Sequence, residues 1–279
     1  MPSVYRDRVM IIIMDSPGQL CNQLWSYSPL IAKAKEDKQT IYINGFYDYK
    51  NHFPNLSQHK FIRFINPKWS DCLESALRTF VKTDGVSAEL PGRSSVVFSS
   101  WSLPQDTQRF IRNADFIREV FKVPNGLGFE RQSTDVVIGM HVRRGDYKYW
   151  NNGKYYYTNN YYAAIAEALQ SQLKGNIKFF IASNEPTDEL LSKIPNSFSL
   201  NISAISDLQS LSMCDYIFGP PSTFSMWASF YGQVPCKFIL PDDEVWSIND
   251  FEPIIAQNLF SSGKRLKFRQ DRGFWIDQK

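Results

Sequence analysis

The second half of this 279-residue chain alternates between short apolar runs and amphipathic segments, and this alternation constrains the fold most strongly. Residues 136–142 are mostly apolar and bounded by polar residues, as expected for a buried strand. Tyr162, Ile165 and Leu169 then follow at helical spacing. Further strands are predicted at 177–181, 216–218 and 237–240, with helices at 186–193, 207–213 and 224–231. The alternation predicts an α/β fold with a parallel sheet covered by helices on both faces.

The first half begins in the same way but is less regular. Strands are predicted at 9–14, 39–43 and 96–98, and helices at 22–35 and 106–121. Most of 44–100 has no legible pattern. We expect the following divisions: a Rossmann-like domain over 1–125, a linker near 123–134, a second Rossmann-like domain over 134–250, and a helical tail over 251–279 that could pack back on the first domain. Two such α/β domains facing across a cleft would form a GT-B type architecture.

Composition excludes several classes of function. The net charge is +3, so bulk charge gives no argument for a nucleic-acid or membrane partner. The four cysteines lack the spacing of zinc sites, and no apolar run is long enough for a signal sequence or a membrane span. We therefore expect reduced thiols and a cytoplasmic location.

The strongest chemical signal lies at the carboxyl end of the predicted strand at 136–142. Ligands of open α/β sheets bind at this edge. His141, Arg143, Arg144 and Gly145 suit a diphosphate, because guanidinium groups bind phosphate oxygens bidentately and glycine permits a close backbone approach. A surface salt-bridge cluster is the alternative interpretation.

Three further segments fall at equivalent positions. A hydroxyl-rich helix start could bind an anion through its N–H groups and dipole, or Ser222 could simply cap it. A polar turn after the strand at 177–181 could line a nucleoside pocket or be only a turn. A glycine-containing loop in the first half would face the same cleft, with N-capping by Asn22 as the alternative. The residues concerned are Ser222, Thr223, Phe224 and Ser225; Ser183, Asn184 and Glu185; and Gly18, Gln19, Asn22 and Gln23.

Four motifs, in order along the chain, resemble the α-1,2-fucosyltransferase family. Residues 18–24 are similar to its G-x-L-G-N-Q-[LM] motif, and residues 141–147 to its H-[VI]-R-R-G-D-Y motif. The segments 179–185 and 207–230 also resemble the family. Cys21 departs from the family's glycine, and Pro220-Pro221 replaces a polar lead-in. Residues 44–100 show no family features, which leaves the acceptor open.

The resemblance implies a GT-B fold and an inverting, metal-independent glycosyltransferase. The simplest reaction moves L-fucose from GDP-fucose, a nucleotide-sugar donor, to a hydroxyl of a glycan acceptor. Arg143 would hold the donor diphosphate, and His141 would lie beside the nucleotide. Ser222 and Thr223 would contact phosphate. Asp207 would read the base, because a carboxylate accepts the two N–H donors of guanine and uracil has no such pair; a helix-start acid is the alternative.

The sequence also bears on the mechanism. It contains no Asp-x-Asp pair, and the acidic run at 242–244 is interpreted as a solvated turn, so no metal or other cofactor is expected. Arg143, with Arg144 and the helix start, would stabilise the leaving diphosphate instead. Asp146 and Asp15 are candidate general bases by location only, and a dissociative mechanism with little base assistance is equally compatible.

Other functions stay open at this level. One is a transferase of the same fold that uses another donor, such as the UDP-pentose UDP-xylose. Another is a non-catalytic protein that binds a nucleotide sugar or a glycan. The basic and aromatic residues interleaved over 143–157 resemble a stacking surface for single-stranded nucleic acid, although the mild net charge disfavours that partner. Linkage and oligomeric state are not determined.

Overall fold

The computed structural model describes residues 9–80, 84–90, 92, 94–241 and 245–266. It divides into two compact units, Met1–Pro124 and Asn125–Lys279. The acidic run at 242–244 and the part of the predicted tail from 267 onwards lie outside the described residues. Within the described ranges, no helix combines the length and apolar character needed to cross a bilayer.

The N-terminal unit contains a mainly parallel sheet. Its strands are β1 (Met10–Ile13), β2 (Thr40–Ile43), β3 (Ile62–Phe64), β4 (Ser87–Leu90) and β5 (Ser94–Val97). Their order is β3-β2-β1-β5-β4, and only β4 runs antiparallel to its neighbour among these described strands. Ile11 and Ile13 of β1 are buried, as are Ile41 and Ile43 of β2, because both strands bury alternate side chains in the same register.

The helices of this unit differ from the predictions in two places. They are α1 (Leu20–Glu36), α2 (Pro67–Phe80), α3 (Thr107–Arg112) and α4 (Ala114–Val120). The single helix predicted at 106–121 is wrong, because the Asn113 side chain donates to the Arg109 carbonyl at 2.9 Å and the helix is interrupted there. Asn22 is not a helix cap, since α1 begins at Leu20 with Gln19 as its N-cap. Helix α2 occupies part of the region that the sequence pattern left unassigned.

The C-terminal unit is built on a larger sheet with a Rossmann-like strand order. Its strands are β6 (Asp135–Val142), β7 (Asn176–Ser183), β8 (Ser197–Phe198), β9 (Tyr216–Gly219), β10 (Pro235–Phe238), β11 (Glu252–Ala256) and β12 (Leu259–Phe260). The order is β12-β11-β10-β9-β6-β7-β8, with β6 to β10 parallel. Numbered from β6, the parallel strands run 3-2-1-4-5, so the direction of winding reverses between β6 and β9.

Helices α5 (Asn159–Gln170), α6 (Asp188–Lys193), α7 (Ala204–Leu211) and α8 (Thr223–Gly232) complete this unit. The predicted stripe on α5 is confirmed: Tyr162, Ile165 and Leu169 are all buried. The helix predicted at 207–213 begins earlier, at Ala204, because Ser203 caps it by accepting the Ser206 backbone N–H.

Helix α8 has the predicted Ser222 cap, but it begins one residue before and ends one residue after the predicted range of 224–231. Its left-handed terminal residue is Gln233, with a φ of 56°. Gly232 is the last helical residue, where a Cβ atom would lie 2.0 Å from the carbonyl oxygen of Ser212. Glycine is therefore required here by the close approach of another chain segment rather than by its backbone angles.

The predicted helical tail is also wrong over its described part. Strands β11 and β12 extend the sheet in antiparallel fashion from β10. Ile254 and Ala256 are buried at alternate positions, and Asn258 makes the turn with a φ of 58°. The backbone N–H of Ile254 donates to the buried Ser229 hydroxyl at 3.0 Å. Alternate burial and this anchoring explain why the segment is a strand.

Candidate functional site

The topology of the C-terminal sheet brings two of the predicted segments together. Strands β6 and β9 are the neighbours at which winding reverses, and ligands of open α/β sheets bind beyond such strand ends. The chain leaves β6 through residues 143–147 and leaves β9 through residues 220–222. A Cβ atom on Gly219 would lie 2.4 Å from the His141 carbonyl oxygen, so glycine permits this close approach.

Arg143 presents a partly exposed guanidinium group just beyond β6. Its Nη2 atom lies 2.8 Å from Oδ1 of Asp146, and its side chain is 23% exposed against 61% for Asp146. The guanidinium carbon lies 5.6 Å from the centre of the Tyr147 ring. The cation is therefore held on two sides and keeps access to solvent, as an anion-binding group requires.

Arg144 contacts a different set of neighbours. Its Nη2 atom donates to the Asn159 side chain, and its guanidinium carbon lies 5.9 Å from the centre of the Tyr156 ring. Its Nε atom is buried and has no hydrogen-bond partner among the described residues. These contacts favour a structural role at the start of α5, and a contact between Arg144 and a donor stays a prediction.

The polar turn after β7 fastens the loop that carries the arginines. Asn184 Oδ1 accepts the backbone N–H of Arg144 at 2.8 Å, and Glu185 Oε1 accepts that of Gly145 at 3.1 Å. Ser183 Oγ accepts the backbone N–H of Glu185 at 3.1 Å. Gly145 has a φ of 59°, a left-handed value that favours glycine. These side chains position the loop, and their contact with a nucleoside stays a prediction.

Tyr147 joins the two strand ends directly. Its hydroxyl donates to the Pro221 carbonyl at 2.6 Å, and the side chain is buried. Burial raises the pKa of Tyr147 to about 12, so the hydroxyl keeps its proton at neutral pH. The Tyr147 ring packs against the Arg143 guanidinium group, and the Tyr147 hydroxyl binds the turn before α8. The sequence analysis did not assign it a role, although it ends the motif at 141–147.

His141 is buried and neutral. Its Nδ1 atom lies 3.3 Å from Ser225 Oγ, and its ring centre lies 5.2 Å from that of Phe224. Burial, and secondarily the charge of Arg143, lowers the pKa of His141 to about 3. His141 therefore adds no positive charge to the site, and its contacts connect the end of β6 to the first turn of α8.

At the start of α8, Ser222 is the helix cap, and its contact with an anion stays a prediction. Ser222 Oγ accepts the Phe224 backbone N–H at 3.2 Å, which makes it the N-cap. Ser225 Oγ donates to the Ser222 carbonyl at 3.3 Å, and Thr223 is the first helical residue. The N-terminus of α8, which is the positive end of the helix dipole, follows the turn at Pro221. Tyr147 contacts this turn through its hydroxyl and Arg143 through its ring.

Asp207 is the acid of this unit that has a buried oxygen without a partner among the described residues. It lies in the first turn of α7, and its Oδ1 atom is buried without a hydrogen-bond partner in the described structure. Burial raises the pKa of Asp207 to about 7. A buried carboxylate oxygen without a partner is costly and marks a candidate ligand contact.

Asp15 lies in the N-terminal unit, just beyond the end of β1, and contacts the segment that follows β5. Its Oδ2 atom accepts the backbone N–H and the hydroxyl of Ser100, at 2.7 and 2.9 Å. Its Oδ1 atom is buried without a partner in the described regions, and burial raises the pKa of Asp15. Sequence reasoning missed Ser100, because no local signal indicates that it contacts Asp15.

The loop between β1 and α1 is closed by its own side chains. Gly18 has a φ of 55°, and a Cβ atom there would lie 2.2 Å from Nδ2 of Asn22. Gln23 donates from Nε2 to the Gly18 carbonyl at 3.0 Å, while Gln19 is exposed. Cys21 is buried within the first turn of α1, where burial raises the pKa of its thiol. The departure from the family's glycine at Cys21 therefore lies in the helix.

Across the described ranges, no group of three or more histidine, cysteine or acidic side chains is arranged to hold a metal ion. The chemistry available at the ends of β6 and β9 is that of a guanidinium group and a helix N-terminus, while the buried carboxylate of Asp207 lies in the first turn of α7.

The two α/β units, each with a mainly parallel sheet, have the GT-B fold of glycosyltransferases. The family model for glycosyl transferase family 11 matches residues 18–234. The chain belongs to this family and is a glycosyltransferase.

Solved fucosyltransferases share the fold at low sequence identity. NodZ from Bradyrhizobium is 15% identical with a TM-score of 0.54, covering 84% of this chain and 96% of its own. FUT1 from Arabidopsis thaliana, in complex with GDP, is 13% identical with a TM-score of 0.57, covering 88% and 73%. A NodZ α-1,6-fucosyltransferase soaked with GDP-fucose is 15% identical with a TM-score of 0.52, covering 88% and 97%. A search of curated protein sequences finds no match.

Proposed function

We propose that this protein transfers a sugar, in the simplest case L-fucose from GDP-fucose, to a hydroxyl of a glycan acceptor with inversion and without a metal ion. Family membership supports transfer, and solved proteins of this fold were crystallised with GDP or GDP-fucose. The observation that carries the proposal is the connection of Arg143 to the α8 turn through Tyr147.

Stabilisation of the leaving group follows from that connection. As the bond to the sugar breaks, negative charge builds on the diphosphate and positive charge on the sugar ring. A guanidinium group and a helix N-terminus that are fixed beforehand stabilise the leaving oxygens without needing to rearrange. The ion pair with Asp146 positions Arg143 before the donor binds, and phosphate oxygens of the donor then replace the Asp146 carboxylate. This set of groups can replace the divalent ion that other transferases use.

Recognition of the base is assigned to Asp207. Its unpartnered carboxylate oxygen can accept N1–H and the exocyclic amine of guanine, two donors that uracil does not present as a pair. This favours GDP over UDP and makes UDP-xylose the less suitable donor. We keep a cytoplasmic location as part of the proposal, supported by the four cysteines, all of them free thiols in the described structure.

A ligand screen followed by a transfer assay tests the proposal. GDP and GDP-fucose should raise the melting temperature more than UDP or CMP, since a ligand at 100 times its Kd stabilises the fold by about 2.7 kcal/mol. Transfer to a glycan should be unchanged by EDTA. Preference for UDP, or activity lost in EDTA and restored by manganese, would contradict it. GDP binding without any transfer or donor hydrolysis would indicate a binding protein instead.

Asp15 is the acceptor-side candidate for a general base. Its raised pKa and its orientation by Ser100 suit proton abstraction from a hydroxyl. We expect Asp15→Asn to slow transfer about tenfold, below the usual range for general bases, because a reaction with oxocarbenium character needs less assistance. GDP binding should not change. Asp71→Asn, at an exposed position on α2, is the matched control. A wild-type rate in Asp15→Asn would remove it as the base.

A further inference from the structure

A cluster of aromatic residues directly follows the arginine motif. We call residues 147–157 the aromatic loop; it contains Tyr147, Tyr149, Trp150, Tyr155, Tyr156 and Tyr157. The ring centres of Tyr147 and Trp150 lie 4.8 Å apart, and those of Trp150 and Tyr155 lie 5.3 Å apart. Tyr147 and Tyr155 are buried. These three rings form a packed base for the rest of the loop.

The backbone of the aromatic loop is held in an unfavourable conformation. Asn151, Asn152 and Gly153 are successive left-handed residues, with φ values of 50°, 57° and 73°. A Cβ atom on Gly153 would lie 3.0 Å from the Lys148 carbonyl oxygen. Left-handed residues other than glycine cost free energy, although asparagine tolerates this conformation better than most. The packed rings and the close approach of Gly153 to Lys148 therefore define the path of the loop.

On this packed base, Tyr149 extends into solvent. Its side chain is 77% exposed, and that of Tyr156 is 37% exposed. The backbone N–H of Tyr149 donates to the Asp146 carbonyl at 3.0 Å, which fixes the position from which the ring extends. Lys148 Nζ lies 5.8 Å from the ring centre. An exposed aromatic ring beside a cation offers a flat apolar face together with hydrogen-bond donors at its rim.

We propose that Tyr149 packs against a sugar ring of the acceptor glycan, at a subsite beyond the residue that carries the reacting hydroxyl. This rests on the proposed function. Arg143, the proposed diphosphate ligand, contacts Tyr147, which contacts Trp150, so the aromatic loop is packed directly against the proposed donor site. The phenol face would cover the C–H face of a pyranose, while the Tyr149 hydroxyl and the Lys148 ammonium bind its hydroxyls.

Charge favours a neutral glycan over single-stranded nucleic acid at this surface. Asp146, 61% exposed, stands at the start of the loop, next to the basic residues. A surface that tracks a phosphate backbone needs a continuous positive groove, whereas Lys148 and Lys154 each lie over a neighbouring tyrosine ring. Sugar hydroxyls tolerate a nearby carboxylate because they can donate to it.

The test measures acceptor binding and donor binding separately. Wild-type protein with GDP bound would be screened on an array of neutral oligosaccharides, and the best-bound glycan assayed in lengths of one to five sugars. Tyr149→Ala should raise the acceptor KM about tenfold for the longer glycans and leave the single sugar unaffected. Tyr149→Phe keeps the ring face and should stay within about threefold of wild type. Trp69→Ala, at a 66% exposed aromatic on α2, is the control and should match wild type.

The outcomes separate this inference from the proposed function. If GDP fails to stabilise the wild-type protein, the proposed function fails whatever Tyr149 does. If GDP binds and transfer proceeds, but Tyr149→Ala has the same acceptor KM as wild type at every glycan length, the subsite is overturned. Steep salt-dependent binding of a single-stranded oligonucleotide that Tyr149→Ala abolishes would also overturn it, in favour of a nucleic-acid surface.

Discussion

Arg143→Ala is expected to lower the rate of sugar transfer about a hundredfold while the protein stays folded. Removing one preorganised donor from a developing oxyanion typically costs on the order of 3 kcal/mol in the transition state. Arg143 is partly exposed, and its contacts are one carboxylate and one ring face, so its loss leaves no large cavity. Steady-state kinetics with GDP-fucose, together with a melting curve, would measure both effects.

The neighbouring arginine provides the matched control. Arg144→Ala removes contacts with Asn159 and Tyr156, so it should lower the melting temperature more than Arg143→Ala and reduce transfer less. Arg143→Lys keeps the charge without the bidentate fork and should fall between wild type and alanine. Near-normal turnover in Arg143→Ala, or equal losses in both alanine variants, would contradict the assignment of the diphosphate to Arg143.

Asp207→Asn is expected to weaken GDP binding about a hundredfold at pH 8 and to leave UDP binding unchanged. Each hydrogen bond to a charged group contributes about 1.5–3 kcal/mol, and a hundredfold change in affinity corresponds to about 2.8 kcal/mol. The expected change is therefore close to the loss of one such bond, because the asparagine side chain keeps an oxygen acceptor. Asp188 also lies in the first turn of a helix, α6, so Asp188→Asn is the control for an effect that comes only from losing an acid at the positive end of a helix dipole. If both variants bind GDP as the wild type does, Asp207 does not read the base.

The pKa of Asp207 gives this prediction a pH dependence with a definite sign. Burial raises the pKa to about 7 in the free protein, and the carboxylate must be ionised to accept two N–H donors from guanine. GDP affinity should therefore be highest above pH 7 and fall as the pH drops below it. Asp207→Asn should remove this part of the profile, which separates it from titration of the GDP phosphates themselves.

The free energy of unfolding of the unliganded protein should change with pH in the direction opposite to GDP affinity. The ordinary pKa of an aspartate is 3.8, so between about pH 4 and pH 7 the unfolded chain is ionised at this position while the folded protein keeps the proton. The contribution of Asp207 to stability is therefore lost as the pH rises through this window. We expect Asp207→Asn to raise the melting temperature of the unliganded protein at pH 8. An unchanged melting temperature there would indicate that the carboxylate is already well solvated.

The sequence was sufficient where the signal is local. Strand ends and the motif at 141–147 placed Arg143 and Ser222 at one edge of a sheet, and the strand order explains why the segments that carry them are neighbours. The contacts between Tyr147 and Pro221, and between Asp15 and Ser100, join residues far apart in sequence, and no periodicity encodes them. The prediction of a helical tail was wrong for a similar reason. The segment of β11 forms a strand because it pairs with β10 and because the Ser229 hydroxyl accepts the Ile254 backbone N–H.

The loop after β6 is fastened on both flanks, by Asn184 and Glu185 on one side and by the Tyr147–Pro221 bond on the other. Its conformational entropy has thus been lost during folding, before any nucleotide arrives. Association should then resemble the docking of two rigid bodies, with encounter rather than rearrangement limiting its speed. Substitutions that loosen either flank would slow capture of the nucleotide even though they touch none of its atoms.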